Sequence, residues 1–394
     1  MFNGWKNGIL AAILLTLPVG SVYAFSLFAP GMAEACNVSM QMIQYAFSLS
    51  IFFLGMGAAF FGPVVEKNPS KAGYIAATLY TAGMGAVAIG LKISSYPLVL
   101  IGYGVLNGLG QGIAYLAPVK ALILWFPKHK GLAAAVSIVS FGLGSTLCTW
   151  LAKICIGSFS LCQFFGMLAI LYCIMMNIGS WLLKKPEVEQ KTVATNSFSY
   201  ASLFKDKMFW HCWLFMFPNI SAGLALIGCS ASIFNDAGIS QATIITLLML
   251  AGVFNGGFRL IYAWMTDFLK FRIDAWFLLS VLSILVICVA GWQYALVGIA
   301  VLLINANYGG GFSCCPSILA DYYDSSQLSR THGAVLSAWG IAGLVGNNVS
   351  MVVFNITGGF YWLLWLLAVV YCINTLNVWY ARKKFKYVIE EKAL

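Results

Sequence analysis

Two cations lie inside apolar stretches of this sequence, where charged side chains are rare. Arg259 stands in AGVFNGGFRLIYAWMTDFLKFR, eight residues before Asp267, which is about 12 Å along a helix. Lys120 lies eight residues before Lys128. A cation at such depth in a membrane must face a protein interior or a water-filled cavity. We interpret Arg259 as an anion-binding cation, with a structural arginine that bonds carbonyl groups between helices as the alternative.

The chemistry of these side chains favours a carboxylate ligand. Arg259 offers five donors in a planar fork that matches a carboxylate group. Asn255 lies four residues earlier, on the same face of a helix. It would orient Arg259 or bond the ligand, with helix packing as the alternative. Lys120 either reaches a central cavity, as a ligand or gating contact, or extends its side chain towards the membrane interface.

The composition identifies the elements that must position these residues. The chain is 61% hydrophobic and 9% charged, whereas soluble domains are usually about 45–50% apolar and about 25% charged. The apolar runs are long and do not alternate, which predicts helices instead of a barrel. Twelve runs of about 20 residues can each cross a bilayer. We therefore predict an all-α integral membrane protein with 12 transmembrane helices.

Charge distribution predicts the topology. A polar stretch divides the chain into six-helix bundles at residues 1–183 and 209–381, with a cytoplasmic linker at 184–208 and a basic cytoplasmic tail at 382–394. With a cytoplasmic N-terminus, 18 of the 22 Lys and Arg residues fall on the cytoplasmic side. This bias predicts that both termini are cytoplasmic. The net charge of +10 is thus a topology signal, and nucleic acid is not an expected partner.

The two bundles share an internal repeat. Glu66–Lys71 and Asp267–Arg272 lie 201 residues apart, and the segments GIAYLAP and GGFSCCP lie 198 residues apart. Two parallel six-helix repeats imply pseudo-symmetric halves with a binding site between them at the middle of the membrane. Glycines at four-residue spacing, Gly104, Gly108 and Gly112, and again Gly252 and Gly256, predict close helix contacts.

Several kinds of chemistry are excluded by the sequence pattern. There is no nucleotide-binding loop, catalytic triad or set of residues with metal-ligand spacing, so we predict neither an enzyme nor a cofactor. The eleven cysteines fall mostly inside apolar runs and are read as reduced, buried side chains. No Asp or Glu lies deep in a predicted span, which argues against an intramembrane carboxylate proton relay.

The residues resemble the major facilitator superfamily, and more closely its oxalate:formate antiporter family. The strongest segment is YGVLNGLGQGIAYLAPVKALILWFPKHKGLAAAVSIVSFGLG, and supporting segments are GSVYAFSLFAP, NGGFRLIYAWMTD, YGGGFSCCPSILAD and LSAWGIAGLVG. The resemblance implies the major facilitator fold, alternating access and a central carboxylate site.

The resemblance also assigns individual site residues. Arg259 matches the arginine of the eighth helix that contacts the substrate carboxylate, and Tyr23 and Tyr115 match aromatic residues around the substrate. Trp339 stands where the oxalate carriers have the second cation, a lysine of the eleventh helix. This departure argues against oxalate. Trp339 offers an aromatic wall and one N–H donor. For Trp339, Tyr23 and Tyr115, helix packing is the alternative to substrate contact. Gly346 is followed by Asn347, where the family tends to have proline.

Two loops look like degenerate copies of the Gly-x-x-x-Asp-Arg loop motif of the superfamily. They contain Glu66 and Lys71 in the first half and Asp267 and Arg272 in the second. The resemblance implies that Glu66 and Asp267 help to hold the two halves together in one state of the transport cycle.

These observations lead to one leading functional hypothesis and two alternatives. We predict a secondary transporter of a small organic anion in the cell (plasma or inner) membrane that works by alternating access with Arg259 at a central site. A monocarboxylate such as formate, lactate or pyruvate is the favoured substrate, and the buried cation favours anion exchange. A proton-coupled monocarboxylate symporter is the first alternative, and a transporter-like nutrient sensor is the second. The expected partners are the small carboxylate and the lipid bilayer, and a monomer is expected to be functional.

Overall fold

The computed structural model describes residues 5–126, 130–155, 158–184, 199–266, 268–269, 271–323 and 328–393. At positions 63, 66, 120, 123–124, 130–134, 320, 328–330 and 386–393 it describes the backbone alone. Within these residues all regular structure is helical, which confirms the all-α fold class.

Twelve helices are long and apolar enough to cross a membrane, as the hydrophobic runs predicted. They are α1 Trp5–Cys36, α2 Met40–Phe60, α3 Pro69–Lys92, α4 Tyr96–Val119, α5 Ala135–Cys155, α6 Leu161–Leu182, α7 Lys207–Ile227, α8 Gln241–Thr266, α9 Ile273–Trp292, α10 Tyr294–Leu319, α11 Thr331–Thr357 and α12 Tyr361–Phe385. After α12 the chain continues as helix to Ala393.

The even number of helices places the start of α1, the end of α6, the start of α7 and the end of α12 at the same end of the bundle, called here the linker end. The other end is called the opposite end. That the linker end is cytoplasmic remains a prediction from the charge distribution.

Two pairs of helices form the main contacts between the halves. α5 packs along α8, and α2 packs along α11. The sequence repeat relates α2 to α8 and α5 to α11, so the two contacts are equivalent under the repeat. In the α5–α8 contact, a methyl group on Gly142 would collide with the backbone of Gly256. The predicted small-residue faces therefore allow close backbone approach: Gly252 and Gly256 meet α5, and Gly108 and Gly112 meet the backbone of α2.

Polar side chains join the halves near the opposite end. The Asn347 amide donates to the Gln44 carbonyl oxygen and to the Ser48 hydroxyl, both at 3.2 Å. The Gln44 side chain donates to the Gly228 carbonyl at 3.1 Å, and Asn355 donates to Gln41 at 3.1 Å. These hydrogen bonds join α2 to α11 and to the end of α7.

Helix α1 changes form in its middle, and this change positions one predicted site residue. Pro18 lies inside the helix, and the next residues, Gly20–Ala24, form a 3-10 helix. Proline removes a backbone donor, which loosens the regular hydrogen-bond pattern. The Pro18 carbonyl instead accepts a hydrogen bond from the Tyr80 hydroxyl at 2.8 Å. Tyr23 lies in this altered segment and is buried.

Candidate functional site

Arg259 lies in the interior of α8 and is 0% exposed. It packs against α10 at Gly309, where a methyl group would meet the Asn255 carbonyl and the Cγ atom of Arg259. Glycine at this position thus makes room for the arginine side chain between the two helices. No salt bridge of the described residues includes Arg259; the two that are described join Arg272 to Asp321 and Arg382 to Asp274.

Asn255 orients the guanidinium. Nε and Nη2 of Arg259 donate to the same oxygen, Oδ1 of Asn255, at 3.1 and 2.9 Å. Residues four apart are neighbours on one face of a helix, so the Asn255 oxygen lies within reach of both nitrogens of Arg259. Of the roles considered for Asn255, orientation of Arg259 is thus the one that the geometry supports. Because Asn255 uses only one edge of the guanidinium, Nη1 remains for another acceptor.

Six aromatic rings from both halves surround Arg259. Phe141 and Phe312 lie 5.9 and 5.4 Å from the guanidinium carbon, in range of a cation–π interaction. Both rings also contact Trp339, at 5.9 and 4.5 Å between centroids. Tyr115 lies 5.5 Å from Trp339. The N-terminal half contributes Tyr23, Tyr115 and Phe141, and the C-terminal half contributes Tyr308, Phe312 and Trp339.

We call these six rings and Arg259 the enclosure. One hydrogen bond crosses between the halves within it. The hydroxyl groups of Tyr23 and Tyr308 lie 2.9 Å apart, and either can be the donor. Tyr23 and Tyr115 both contact the Phe141 ring, at 5.4 and 5.7 Å between centroids, and Phe141 lies 5.9 Å from the guanidinium carbon of Arg259. Any ligand of Arg259 would therefore touch surfaces that belong to both halves.

Three buried N–H groups at the enclosure have no acceptor among the residues that the structure describes. They are Nη1 of Arg259, Nδ2 of Asn255 and Nε1 of Trp339. A buried donor without a partner costs about 1–3 kcal/mol, and more when it is charged. These three groups are all donors, so a ligand that satisfies them must provide acceptor atoms.

The structure brings most of the predicted site residues together. Arg259, Asn255, Trp339, Tyr115 and Tyr23 all belong to the enclosure or bond directly to its arginine. Lys120 lies on the helical backbone after Val119, but its side chain is outside the described residues. Its two interpretations, ligand contact and extension to the interface, both stay predictions.

The four residues of the predicted loop motif are less fully described. Asp267 and the side chain of Glu66 lie outside the described residues. Lys71 is exposed, and its backbone N–H is capped by the Asn68 side chain at 3.0 Å. Arg272 forms an ion pair with Asp321 of the same half at 2.5 Å, and burial raises the pKa of that carboxyl although Arg272 acts in the opposite direction. The proposed link between the halves stays a prediction.

Comparison with known proteins identifies the family. Residues 10–346 match the sequence model of the Major Facilitator Superfamily. The chain belongs to this superfamily. Members are transporters, so the prediction that the protein is not an enzyme is confirmed, and it is a multi-pass membrane transporter.

Two relatives match the chain over most of its length. An uncharacterised MFS-type transporter of Escherichia coli, YhjX, is 24% identical over 361 residues, which cover 85% of each chain. The oxalate:formate antiporter of Oxalobacter formigenes is 22% identical over 363 residues, covering 89% of this chain and 85% of the antiporter. The resemblance found in the sequence motifs is thus confirmed.

A solved structure supports the fold independently. The inward-open structure of the xylose transporter XylE from E. coli has a TM-score of 0.70 at 14% identity and covers 94% of both chains. At this identity the likeness concerns the major facilitator fold alone.

Three site residues were not predicted from the sequence: Phe141, Tyr308 and Phe312. Each lies within a glycine-containing segment that carries the family resemblance, FGLG after Ser140 and YGGGFSCC after Asn307. The glycines permit close helix approach, and the aromatic side chains next to them fill the space between the helices. An aromatic residue beside a glycine run of a central helix was therefore the sequence pattern that could have predicted these three residues.

Proposed function

We propose that this protein transports a small monocarboxylate by exchanging one anion for another at Arg259. The observation that carries the proposal is the buried guanidinium with an unpaired Nη1 and no carboxylate partner in the described part of the chain. A buried charge usually has a partner. A carboxylate ligand would provide both the opposite charge and the missing acceptor atoms.

The neighbouring donors support a carboxylate over a neutral ligand. The unpaired N–H groups of Asn255 and Trp339 belong to the same enclosure as Arg259, and a carboxylate has two oxygens with about four acceptor sites. The aromatic rings contact one another across the halves at 5.5–5.9 Å. Such close ring contacts support a ligand of only a few heavy atoms.

Charge balance favours a monoanion over a dianion. Arg259 contributes one positive charge, and Trp339, at the position of the second cation of the oxalate carriers, contributes none. The oxalate:formate antiporter, which is 22% identical, has both a dianion and a monoanion in its name. The single cation among the described side chains of this enclosure fits the monoanion, and formate, lactate and pyruvate are the candidates.

The same charge argument favours exchange. If the site closes around Arg259 without an anion, a bare cation is left in an aromatic enclosure, and this costs several kcal/mol. A bound carboxylate lowers that energy, so the loaded carrier changes its access side more readily than the empty one. No Asp or Glu of the described residues bonds to Arg259, so no carboxylate is in place there to carry a coupled proton.

Counterflow into proteoliposomes tests the proposal. Vesicles loaded with unlabelled formate, lactate or pyruvate should accumulate the labelled anion, and empty vesicles should not. Arg259→Ala should abolish counterflow. Arg259→Lys should reduce it strongly, because an ammonium group cannot reproduce the planar fork. Lys92→Ala, at an exposed lysine of the opposite end, is the matched control and should behave as wild type.

Two outcomes would contradict parts of the proposal. Counterflow that persists unchanged in Arg259→Ala would show that Arg259 does not bind the substrate. Uptake into empty vesicles with alkalinisation outside would replace exchange by proton symport.

A further inference from the structure

A basic cleft of about 490 Å³ lies at the linker end, away from the transport site. Its walls come from the start of α7, the chain after α10 and the end of α12. We propose that this cleft binds the phosphate group of an anionic lipid. The lysines that line it are Lys205, Lys207, Lys383 and Lys384.

Neither of the two ion pairs described at this end includes one of the four lysines. Those pairs engage the arginines instead: Arg272 with Asp321 and Arg382 with Asp274, each at 2.5 Å. Lys383 and Lys384 lie over the rings of Trp379 and Tyr380, with Nζ at 3.9 and 4.9 Å from the ring centroids. A ring contact leaves the N–H groups of an ammonium ion able to bond an anion.

Asp206 is the one acid among the lining residues, and its oxygens are already engaged. Oδ1 accepts from the backbone N–H of Met208 at 2.9 Å and so caps α7. Oδ2 accepts from the Tyr323 hydroxyl at 2.5 Å. Burial and the bond to Asp206 raise the pKa of Tyr323, so the phenol stays protonated and remains a donor. The cleft therefore has four cations and one carboxylate that is bonded elsewhere.

The wall formed by α12 is fixed in place. Phe385 is 1% exposed, and its ring packs against Tyr322 at 5.5 Å. Arg382 lies over Phe277 at 4.7 Å and bonds Asp274. These contacts hold the end of α12 against α9 and the chain after α10. The backbone that carries Lys383 and Lys384 is therefore already in place at the cleft before a ligand binds.

The surroundings favour a lipid as the source of the phosphate. Trp210, Trp379 and Tyr380 lie within one helical turn of the lining residues Lys207 and Lys383 and are 43%, 47% and 50% exposed. Exposed Trp and Tyr rings of membrane proteins concentrate at the level of the headgroups. Basic pockets between transmembrane helices bind anionic headgroups. A soluble phosphate compound has the same charged group but gains nothing from these rings.

Titration of purified full-length protein in detergent tests the proposal. The probes are short-chain phosphatidylglycerol, short-chain phosphatidylcholine, glycerol phosphate and inorganic phosphate, and the readout is the shift in Tm with native mass spectrometry of retained lipid. Phosphatidylglycerol should raise Tm and remain bound, and the other three probes should not. Tight binding of glycerol phosphate or inorganic phosphate would overturn the lipid assignment in favour of a soluble ligand.

Charge-neutral variants locate the site. Lys383→Gln with Lys384→Gln should weaken phosphatidylglycerol binding about fivefold per lysine. Lys205→Gln with Lys207→Gln should do the same, and it removes cations near a helix N-terminus, where they do not stabilise the helix. The control pair, Lys92→Gln with Lys153→Gln, lies at the opposite end and should bind as wild type. Equal affinity in all three double variants would overturn the site.

Discussion

Arg259 and Asn255 form a fork on one turn of α8, in which Nε and Nη2 donate to the same Oδ1 atom at 3.1 and 2.9 Å. The bond fixes the plane of the guanidinium and leaves Nη1 without an acceptor. One edge of the guanidinium is therefore bonded within α8, and the other edge is left without an acceptor. The free edge faces an enclosure to which both halves contribute rings, so a ligand bound there would contact both halves.

The first prediction concerns Asn255→Asp. The new carboxylate would pair with Arg259 through charge-assisted hydrogen bonds and would repel an incoming anion. We expect monocarboxylate affinity to fall about 30-fold or more, with Tm at least as high as in wild type. Thermal-shift titration with formate, lactate and pyruvate measures both. Asn235→Asp, at an exposed site, is the control, and unchanged affinity in Asn255→Asp would argue against anion binding at Arg259.

The second prediction concerns the Tyr23–Tyr308 hydroxyl pair, 2.9 Å apart. Tyr23→Phe and Tyr308→Phe should each destabilise the protein by about 0.5–1.5 kcal/mol. Removing the second hydroxyl should cost less than removing the first, because its partner is already gone. Thermal unfolding of the two single variants and the double variant measures this coupling. Tyr371→Phe removes a hydroxyl bonded within one half, so its effect should add to that of Tyr23→Phe.

The third prediction concerns Trp339→Lys, which places a second cation in the enclosure. Without ligand the variant should be less stable, since two buried cations repel each other. Oxalate should restore stability, and its affinity relative to formate should rise about 10- to 100-fold, as expected for one charged hydrogen bond. Competition of both anions against labelled formate measures the ratio. Trp339→Phe keeps the ring without the cation and should show no such change.

The fourth prediction concerns Asn347→Leu, which removes the amide that bonds Gln44 and Ser48 across the halves. The opposite end should open more often, since those acceptors lose their donor. Cys229 provides a natural probe, because it is 0% exposed and lies beside Asn347. Its alkylation by an impermeant maleimide, mapped by mass spectrometry, should increase. Cys212, buried nearer the linker end, should react as in wild type, and a parallel rise there would indicate general unfolding instead.

The fifth prediction compares two glycines of α8. Gly252→Ala places a methyl group against the Ser145 and Thr146 side chains of α5 and should destabilise by about 1–3 kcal/mol. Gly257→Ala meets open space and should stabilise the helix by about 0.5–1 kcal/mol. Thermal unfolding of both variants decides the comparison. Equal Tm values would show that the α5–α8 contact has room for the methyl group of Gly252→Ala.

The sequence by itself determined the features that depend on local pattern. Apolar runs of sufficient length fix the number of membrane helices, and the i, i+4 spacing fixes the partnership of Asn255 with Arg259. The free-energy cost of a buried charge identified Arg259 as the candidate anion-binding residue, because that cost follows from the residue type and its depth in the membrane.

The tertiary structure decided which distant residues meet. Phe141, Tyr308 and Phe312 join the site because α5 and α10 approach Arg259, and no periodicity within one helix reports that approach. Asn347 and Gln44 are 303 residues apart, yet a hydrogen bond joins them across the two halves. Whether a donor keeps or loses its partner depends on the packing of separate helices, so the unpaired edge of Arg259 became visible only in three dimensions.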